Sequence, residues 1–491
     1  MPLSHREQIL HASRRWEGRF VRWPFFRIAV LSSIVCGVAS VSASETAQQK
    51  TAQQETAQKE NGAKPVAASA PPSVAEIQTR IAAEYPALEA LYHHWHANPE
   101  LSLQEKSTAA RLAAELRSLE IDATENVGGF GVVGVLRNGD GPTLMIRADM
   151  DALPIVERTE LPYASRVKAI DRDGKEVGVM HACGHDINMT CLVGTAKLLT
   201  RWKSHWSGTI VFVGQPAEEI GAGARAMIAD GLFTRFPKPT RALALHCDAR
   251  YPHGMVNYRE GQMQAHVDSV DITVRGKGGH GAAPHTTIDP VLLASRIVVD
   301  LQSIVSREVN PLESAVVTVG SIHGGTKHNI IPEEVKLQLT VRTTHDELRK
   351  QVLEAIARIA RAAAQGARAP EPLVKHDPLA YTPALVNDPE TTRQVVRVLR
   401  SALGDERVVE RPMSLGGEDF SQFVLAGIPG CYFFVGTANP EQVARAKQGG
   451  LPLPLTHTDR YAPVAEPTIK TGVLAMTVAV LDLLKRTDST D

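Results

Sequence analysis

Residues 209–219 read TIVFVGQPAEE, a short apolar run followed at once by a polar turn ending in two adjacent carboxylates, Glu218 and Glu219. β-Branched and aromatic side chains from Thr209 to Val213 predict a buried strand, so 215–219 lies just past its carboxyl end. The pattern recurs. The stretch 143–146 runs into Arg147-Ala148-Asp149, and 242–245 ends at His246. Helical patterns over 188–202 and 222–230 separate these strands. Alternation of this kind predicts an α/β fold with a mostly parallel central sheet, where chemistry-bearing side chains gather beyond the strand ends.

Working outward, Ser73 and Glu76 form a capping box for a helix carrying Ile77 and Ile81 toward His96, and a second helix is expected over 105–118. From His266 the texture changes. Alternating stretches at 267–274, 315–319 and 335–341, with helical patterns at 289–307 and 346–364, predict a small α+β domain with helices on one face of an antiparallel sheet. Beyond Pro378 come a helix over 389–403, a strand over 431–435, His457 in a loop and a closing helix over 467–484. The small domain, 265–378, is therefore read as an insertion into a larger one spanning 73–264 and 379–486.

The 491 residues carry Lys+Arg 53 against Asp+Glu 54, a net charge of -1. This balance offers no broad basic surface, so nucleic acid is not an expected partner. The body holds no apolar run long enough for a polytopic membrane protein. Five arginines between Arg14 and Arg27 precede the apolar stretch 28–41, which ends in Val41-Ser42-Ala43. Residues 1–43 thus read as a signal peptide or N-terminal anchor. The expected location is periplasmic or secreted, with a tether to the inner membrane if that helix stays uncleaved. Residues 44–72 repeat TAQQK, TAQQE and TAQKE and read as a disordered linker. Of the four remaining cysteines, Cys183, Cys191, Cys247 and Cys431, none is expected in a structural disulfide, because a chain this long needs no staples.

The polar clusters suggest metal chemistry. Cys183 and His185 flank Gly184, and in a turn both side chains can converge on one cation. Past a strand end, one of Glu218 and Glu219 can bind metal while the other holds a proton taken from activated water. His246 and His457 can complete the shell. Taken singly, each feature is more often an ordinary polar-network residue. Their common placement at predicted strand ends favours a divalent-metal hydrolase acting on an amide bond.

An ordered set of motifs carries a resemblance: RADMDALP (147–154), MHACGHD (180–186), QPAEE (215–219), VRGKGGHGAAPH (274–285), HNIIP (328–332), GGEDF (416–420) and the loop about His457. Over roughly 75–484 the chain resembles the M20 metallopeptidase superfamily, in particular its amidohydrolase branch of hippurate and auxin-conjugate hydrolases. The resemblance implies a zinc-peptidase-like catalytic domain with an inserted dimerisation, or lid, domain. It implies two divalent ions (manganese, zinc, cobalt or nickel) on Cys183, His185, Glu219, His246 and His457, with Cys183 bridging and Glu218 as general base. Asp149 would steady a metal-binding group from behind, and Asp186 would do the same or stabilise a turn. His280 would reach the partner subunit's site in a homodimer to stabilise an oxyanion, while Asn329 and Arg342 would hold the substrate carboxylate. Read alone, His280 is a polar cap in a glycine-rich turn and Arg342 a solvent-facing residue. Two departures stand out: altered neighbours around His457, and the continuation Cys247-Asp248 to Tyr251-Pro252-His253, which is expected to bring His253 to the cleft. The implied activity is hydrolysis of N-acyl amino acids, aromatic acyl groups included. A dipeptidase or metallo-carboxypeptidase, and a noncatalytic binding protein on the same scaffold, are the alternatives.

Overall fold

The computed structural model describes residues 71–376 and 381–486, so the expected leader and nearly all of the expected linker lie outside the described residues. The chain opens with α1 (Val74–Ala97), where Ser73 and Glu76 form the capping box and Ile77, Ile81, Leu88, Leu91 and Trp95 make the buried stripe. Next come α2 (Lys106–Ser118) and a hairpin, β1 (Asp122–Val127) and β2 (Gly131–Asn138). The alternating part follows as β3 (Thr143–Asp149), α3 (His185–Arg201), β4 (Gly208–Gln215), β5 (Arg241–Pro252) and β6 (Val256–Tyr258).

The second set of strands is β7 (His266–Arg275), β8 (Ala315–Gly324), β9 (Glu334–Thr343) and β10 (Leu373–Lys375), with helices α4 (Pro290–Ser303) and α5 (Asp346–Gly366). The chain closes with α6 (Pro389–Leu403), β11 (Val408–Glu410), β12 (Gly430–Ala438) and α7 (Ala465–Leu483).

The large sheet runs β1-β2-β4-β3-β5-β12-β6-β11. Its centre, β4-β3-β5-β12, is parallel, whereas β1 pairs antiparallel with β2, β2 with β4 and β6 with β12, and β11 lies parallel to β6, which makes the sheet mixed. Successive side chains point to opposite faces of a strand, and both faces here are covered. Leu144, Ile146, Ile210 and Phe212 pack under α1, α3 and α7, while Met145, Val211 and Val213 pack on the other side with Phe420 and Phe423. Burial on both faces explains why the central strands read as continuous apolar runs.

Two local differences from the sequence reading bear on the site. Helix α3 begins at His185 rather than at 188. Strand β5 does not stop at His246 but continues to Pro252, because β12 pairs with it as far as Asp248 and, after an irregular step, again at Pro252, placing Phe434 opposite His246 and Gly436 opposite Asp248. The polar run His246-Cys247-Asp248 hid that extension. Strand alternation then puts His246 and Asp248 on one face, and beyond them the Arg250 N–H donates back to Asp248 Oδ1 at 3.0 Å.

The small sheet is antiparallel, in the order β8-β9-β7-β10. Val270, Ile272, Val274, Leu337 and Val341 bury one face against Leu293, Ile297 and Leu301 of α4 and Val352 and Ile356 of α5. This second core is separate from those of the large sheet, and its strands fall in sequence between β6 and β11. Among the described residues no helix is long and apolar enough to cross a membrane, and all four cysteines are buried and free.

Candidate metal centre

Gly184 makes the first turn of the site possible. Its φ is +86°, and a Cβ there would stand 2.8 Å from Cys247 Sγ and 3.0 Å from Tyr461 Oη. A left-handed residue without a side chain lets Cys183 finish one segment and His185 begin α3 with both side chains on the same cavity. His185 Nδ1 lies 2.8 Å from the Asp151 carbonyl oxygen. A proton on that nitrogen leaves the Nε2 lone pair directed inward, and Nε2 is buried with no hydrogen-bond partner. His246, from β5, repeats the arrangement: Nδ1 meets the Cys247 carbonyl at 2.8 Å and Nε2 lies 3.4 Å from Cys183 Sγ.

His457 approaches from the opposite side. Its Nε2 is 3.2 Å from Cys183 Sγ and 3.5 Å from Glu219 Oε2. The residue adopts a φ of +66°, unusual for a side chain with a Cβ, and its backbone N–H donates to the Ala182 carbonyl at 2.8 Å. Cys183 Sγ therefore belongs to two groups, Cys183/His185/His246 and Cys183/Glu219/His457, each with donor atoms within 4.8 Å of one another.

The two glutamates reach the cavity on a tightly folded loop after β4. Gly223 crosses it so closely that a Cβ would fall 1.6 Å from the Pro216 carbonyl oxygen. Ala217 donates its backbone N–H to Glu105 Oε1 at 2.7 Å, and Glu219 donates its own to Asp151 Oδ2 at 3.0 Å. Ser102 Oγ donates to the same Asp151 oxygen at 2.6 Å. Held on both sides, the loop leaves Glu218 Oε2 at 4.0 Å and Glu219 Oε1 at 3.9 Å from His185 Nε2.

These donors fit cations. Burial, then the charges of Glu219, Glu218 and Asp149, push the Cys183 thiol well above its ordinary range. Burial and the charges of Glu418 and Glu219 push the Glu218 carboxyl far up. Burial likewise lifts Glu219 to about 7, with His185 opposing. Buried anions that raise one another, beside an unpartnered Nε2 and an unpartnered Glu219 Oε1, form a donor set that divalent metal relieves. The paired clusters are consistent with two divalent ions per chain, and thiolate, imidazole and carboxylate together suit zinc and its first-row neighbours.

Asp149 lies on the inward side of His185, 3.6 Å from its free Nε2, and accepts from Arg147 Nη1 and Asn188 Nδ2, both at 2.7 Å, whereas the residue behind the ring, at Nδ1, is Asp151. Asp186 turns away: its Oδ2 lies 2.7 Å from His96 Nδ1, and its Oδ1 accepts the Ile187 N–H. The sequence reading gave no role to several residues that hold this site. Arg147, fully buried, also donates to Gln215 Oε1 at 2.9 Å, Glu418 Oε1 at 2.8 Å and Asp419 Oδ1 at 3.3 Å, while Tyr432 Oη donates to Glu418 Oε2 at 2.6 Å. Three of the quoted motifs thus meet at one guanidinium. Their presence in those motifs was the available signal. Glu105, Glu157 and His96 had none.

The donor side chains of Cys183, Glu219, His246 and His457 open into a cavity of about 600 Å³ that Glu218, Arg342 and Arg411 also line. His280 and Asn329 do not line it. They are exposed neighbours on a short ribbon, Gly279–His280 against Ile330–Ile331, where Gly281 donates its N–H to the Asn329 carbonyl at 2.9 Å. His253 does not reach the cavity either; Asp248 and Arg250 line it in its place, because β5 runs on and carries His253 past the cleft.

Residues 145–448 match the model of Peptidase family M20/M25/M40. A thermostable carboxypeptidase of Saccharolobus solfataricus is 39% identical over 384 residues, covering 77% of this chain and 91% of that protein. An IAA-amino acid hydrolase of Arabidopsis thaliana is 38% identical over 346 residues, covering 70% and 74%. The crystal structure of a dinuclear metal binding peptidase of Bacillus subtilis, from the M20 family, superposes with a TM-score of 0.66 at 30% identity, covering 82% of this chain and 99% of the other.

Proposed function

The chain belongs to peptidase family M20/M25/M40, and from that premise we propose that it hydrolyses the amide bond of small N-acyl amino acids, releasing a carboxylic acid and an amino acid. The observation that carries this reading is the single thiol of Cys183 shared between two donor groups, with the carboxyl of Glu218 beside them 4.0 Å from His185 Nε2. When bound, divalent ions supply Lewis acidity toward the acyl carbonyl and lower the pKa of water. Glu218 accepts the proton of the attacking water and returns it to the leaving nitrogen, a task suited to a carboxyl whose pKa lies far above the usual range. Arg342 meets the substrate carboxylate with a planar pair of donors. In the homodimer we propose, His280 and Asn329 serve the partner's cleft, His280 donating to the oxyanion. Asp151 fixes the His185 ring through Nδ1, Asp149 supplies negative charge beside its Nε2, and Asp186 anchors the start of α3. The arginine-rich start and the apolar stretch 28–41 support a periplasmic or secreted location, or an inner-membrane tether.

The test is Glu218→Gln. The variant should keep about two metal ions per chain by elemental analysis and lose at least about 10³-fold in kcat toward N-benzoyl amino acids; retained turnover removes Glu218 as the base. A second reading, supported by the 39% identity to a carboxypeptidase, keeps the same chemistry on unblocked or longer peptides. Comparing N-acyl amino acids with free dipeptides and blocked peptides separates the two. Loss of metal binding together with absence of turnover on every substrate leaves only a noncatalytic binding scaffold.

A further inference from the structure

We propose that the cavity selects substrates bearing a second carboxylate, which docks on the Arg250–Arg411 pair; the inference deepens the amide-hydrolase reading and rests on it. The lining holds three arginines, Arg250, Arg342 and Arg411, and four acids, Glu218, Glu219, Asp248 and Glu418. Glu218 and Glu219 belong to the metal end and Glu418 is held by Arg147 and Tyr432. Asp248 is the acid that pairs with Arg250 and Arg411, and one carboxylate between two guanidiniums leaves that group net positive.

The geometry follows from β5. His246 and Asp248 share one face of the strand, so at about 3.4 Å per residue Asp248 lies about 7 Å beyond His246, away from the metal end; past it the pairing with β12 shifts, and the Arg250 N–H donates back to Asp248 Oδ1 at 3.0 Å. Arg250 grips Asp248 with a fork, Nε to Oδ1 and Nη2 to Oδ2, each at 2.9 Å. Arg411 comes from the other side, with Nη1 3.1 Å from Asp248 Oδ2 and 3.3 Å from Asn257 Oδ1. Its guanidinium lies over the Phe434 ring at 4.0 Å, and Phe434 in turn stands edge-on to His246 at 5.8 Å. One aromatic ring therefore separates a buried cation from a metal ligand.

Arg411 is only 3% exposed, yet its Nε has no hydrogen-bond partner. Arg342 has no ion pair or hydrogen bond among the described residues. A nearly buried guanidinium with unused N–H groups costs free energy unless an acceptor arrives. A carboxylate fits, because a planar fork of donors matches its two oxygens. The carboxylate can come from the side chain of an acidic leaving amino acid or from the far end of a dicarboxylic acyl group.

The experiment measures kcat/KM of purified, metal-replete protein on two matched pairs, N-benzoyl-glutamate against N-benzoyl-glutamine, and N-glutaryl-glycine against its terminal amide. One pair should show a preference of at least about tenfold for the charged member, and which pair does so identifies the source of the carboxylate. Arg250→Gln, at a half-exposed side chain, should reduce that ratio by at least about fivefold, as should Arg411→Lys. Calorimetric titration with glutarate and with glutaramate gives a reading independent of turnover, with tighter glutarate binding that Arg250→Gln weakens. If both pairs are hydrolysed with less than about twofold discrimination, the inference falls and the amide-hydrolase reading stands. If none of the four is hydrolysed, the proposed function falls, and the glutarate titration alone decides whether the anion site exists.

Discussion

His96 lies at the end of α1, 1% exposed, with Nδ1 2.7 Å from Asp186 and Nε2 3.0 Å from Glu157. Burial alone would lower its pKa, but hydrogen bonds to the two carboxylates outweigh it and raise the imidazole from 6.5 to about 9. A base whose folded pKa exceeds its unfolded one stabilises the fold most below the unfolded value, and the gain disappears as pH rises through the folded value. The displacement corresponds to about 3 kcal/mol, present below about pH 6.5 and lost by about pH 9. Asp186 and Glu157 are themselves lowered, burial again opposing and His96 prevailing. That is the same interaction seen from its other side and is not counted twice. The perturbation is His96→Gln, which keeps a polar side chain and removes the titration. Urea unfolding of metal-stripped wild type and variant across pH 6 to 9.5 should give a stability difference that shrinks by about 3 kcal/mol over that window. Other groups titrate in both proteins and cancel. A difference that stays constant with pH refutes an imidazolium held between two acids.

Two further perturbations follow from the turn and the buried network. Gly184→Ala puts a Cβ into Cys247 and Tyr461 at a φ of +86°; it should cost at least about 2 kcal/mol in urea unfolding and weaken zinc binding measured by competition with a chelator. Arg147→Met leaves Asp149, Glu418 and Asp419 buried without their cation, which should destabilise by about 3–5 kcal/mol, read as a fall in the unfolding midpoint.

The fold was legible where physics is local. Period-two alternation marked β7 and β9 because one face is wet, and the Ser73–Glu76 capping box marked the start of α1 because its hydrogen bonds span three residues. The metal-binding types stood out because thiol, imidazole and paired acids rarely follow apolar runs together. What stayed hidden depends on residues distant in sequence. β5 reaches Pro252 only because β12 lies beside it, so no local pattern predicted that Asp248 and Arg250 would face the cavity while His253 would not. Glu105 is a plain acid at the start of a helix until Ala217, far along the chain, donates its N–H to it. Arg147 and Glu418 were visible within motifs, but their meeting follows from strand order, which no single segment encodes.

The placement of Arg147 also bears on why the centre takes cations from outside. Asp149, Glu418 and Asp419 share this one buried guanidinium, so it already faces more negative charge than it can balance; burial, opposed by Arg147, still leaves Asp419 at about 7. None of that positive charge reaches Cys183 or Glu219; beside them burial lowers His246 and His457, and only His185, where burial is outweighed by Asp149 and Asp151 and the imidazole is raised to about 10, carries a proton that an incoming cation must displace. An internal lysine or a second arginine would have neutralised these donors and closed the site. Their absence from the lining at that end leaves a thiol and carboxyls whose ionised forms depend on an incoming divalent charge, so proton release and metal uptake are coupled. Zinc titrated into weakly buffered, metal-free protein near neutral pH should therefore release protons, in an amount that falls when Cys183 is replaced by alanine; uptake with no proton release would contradict ligands held protonated by burial.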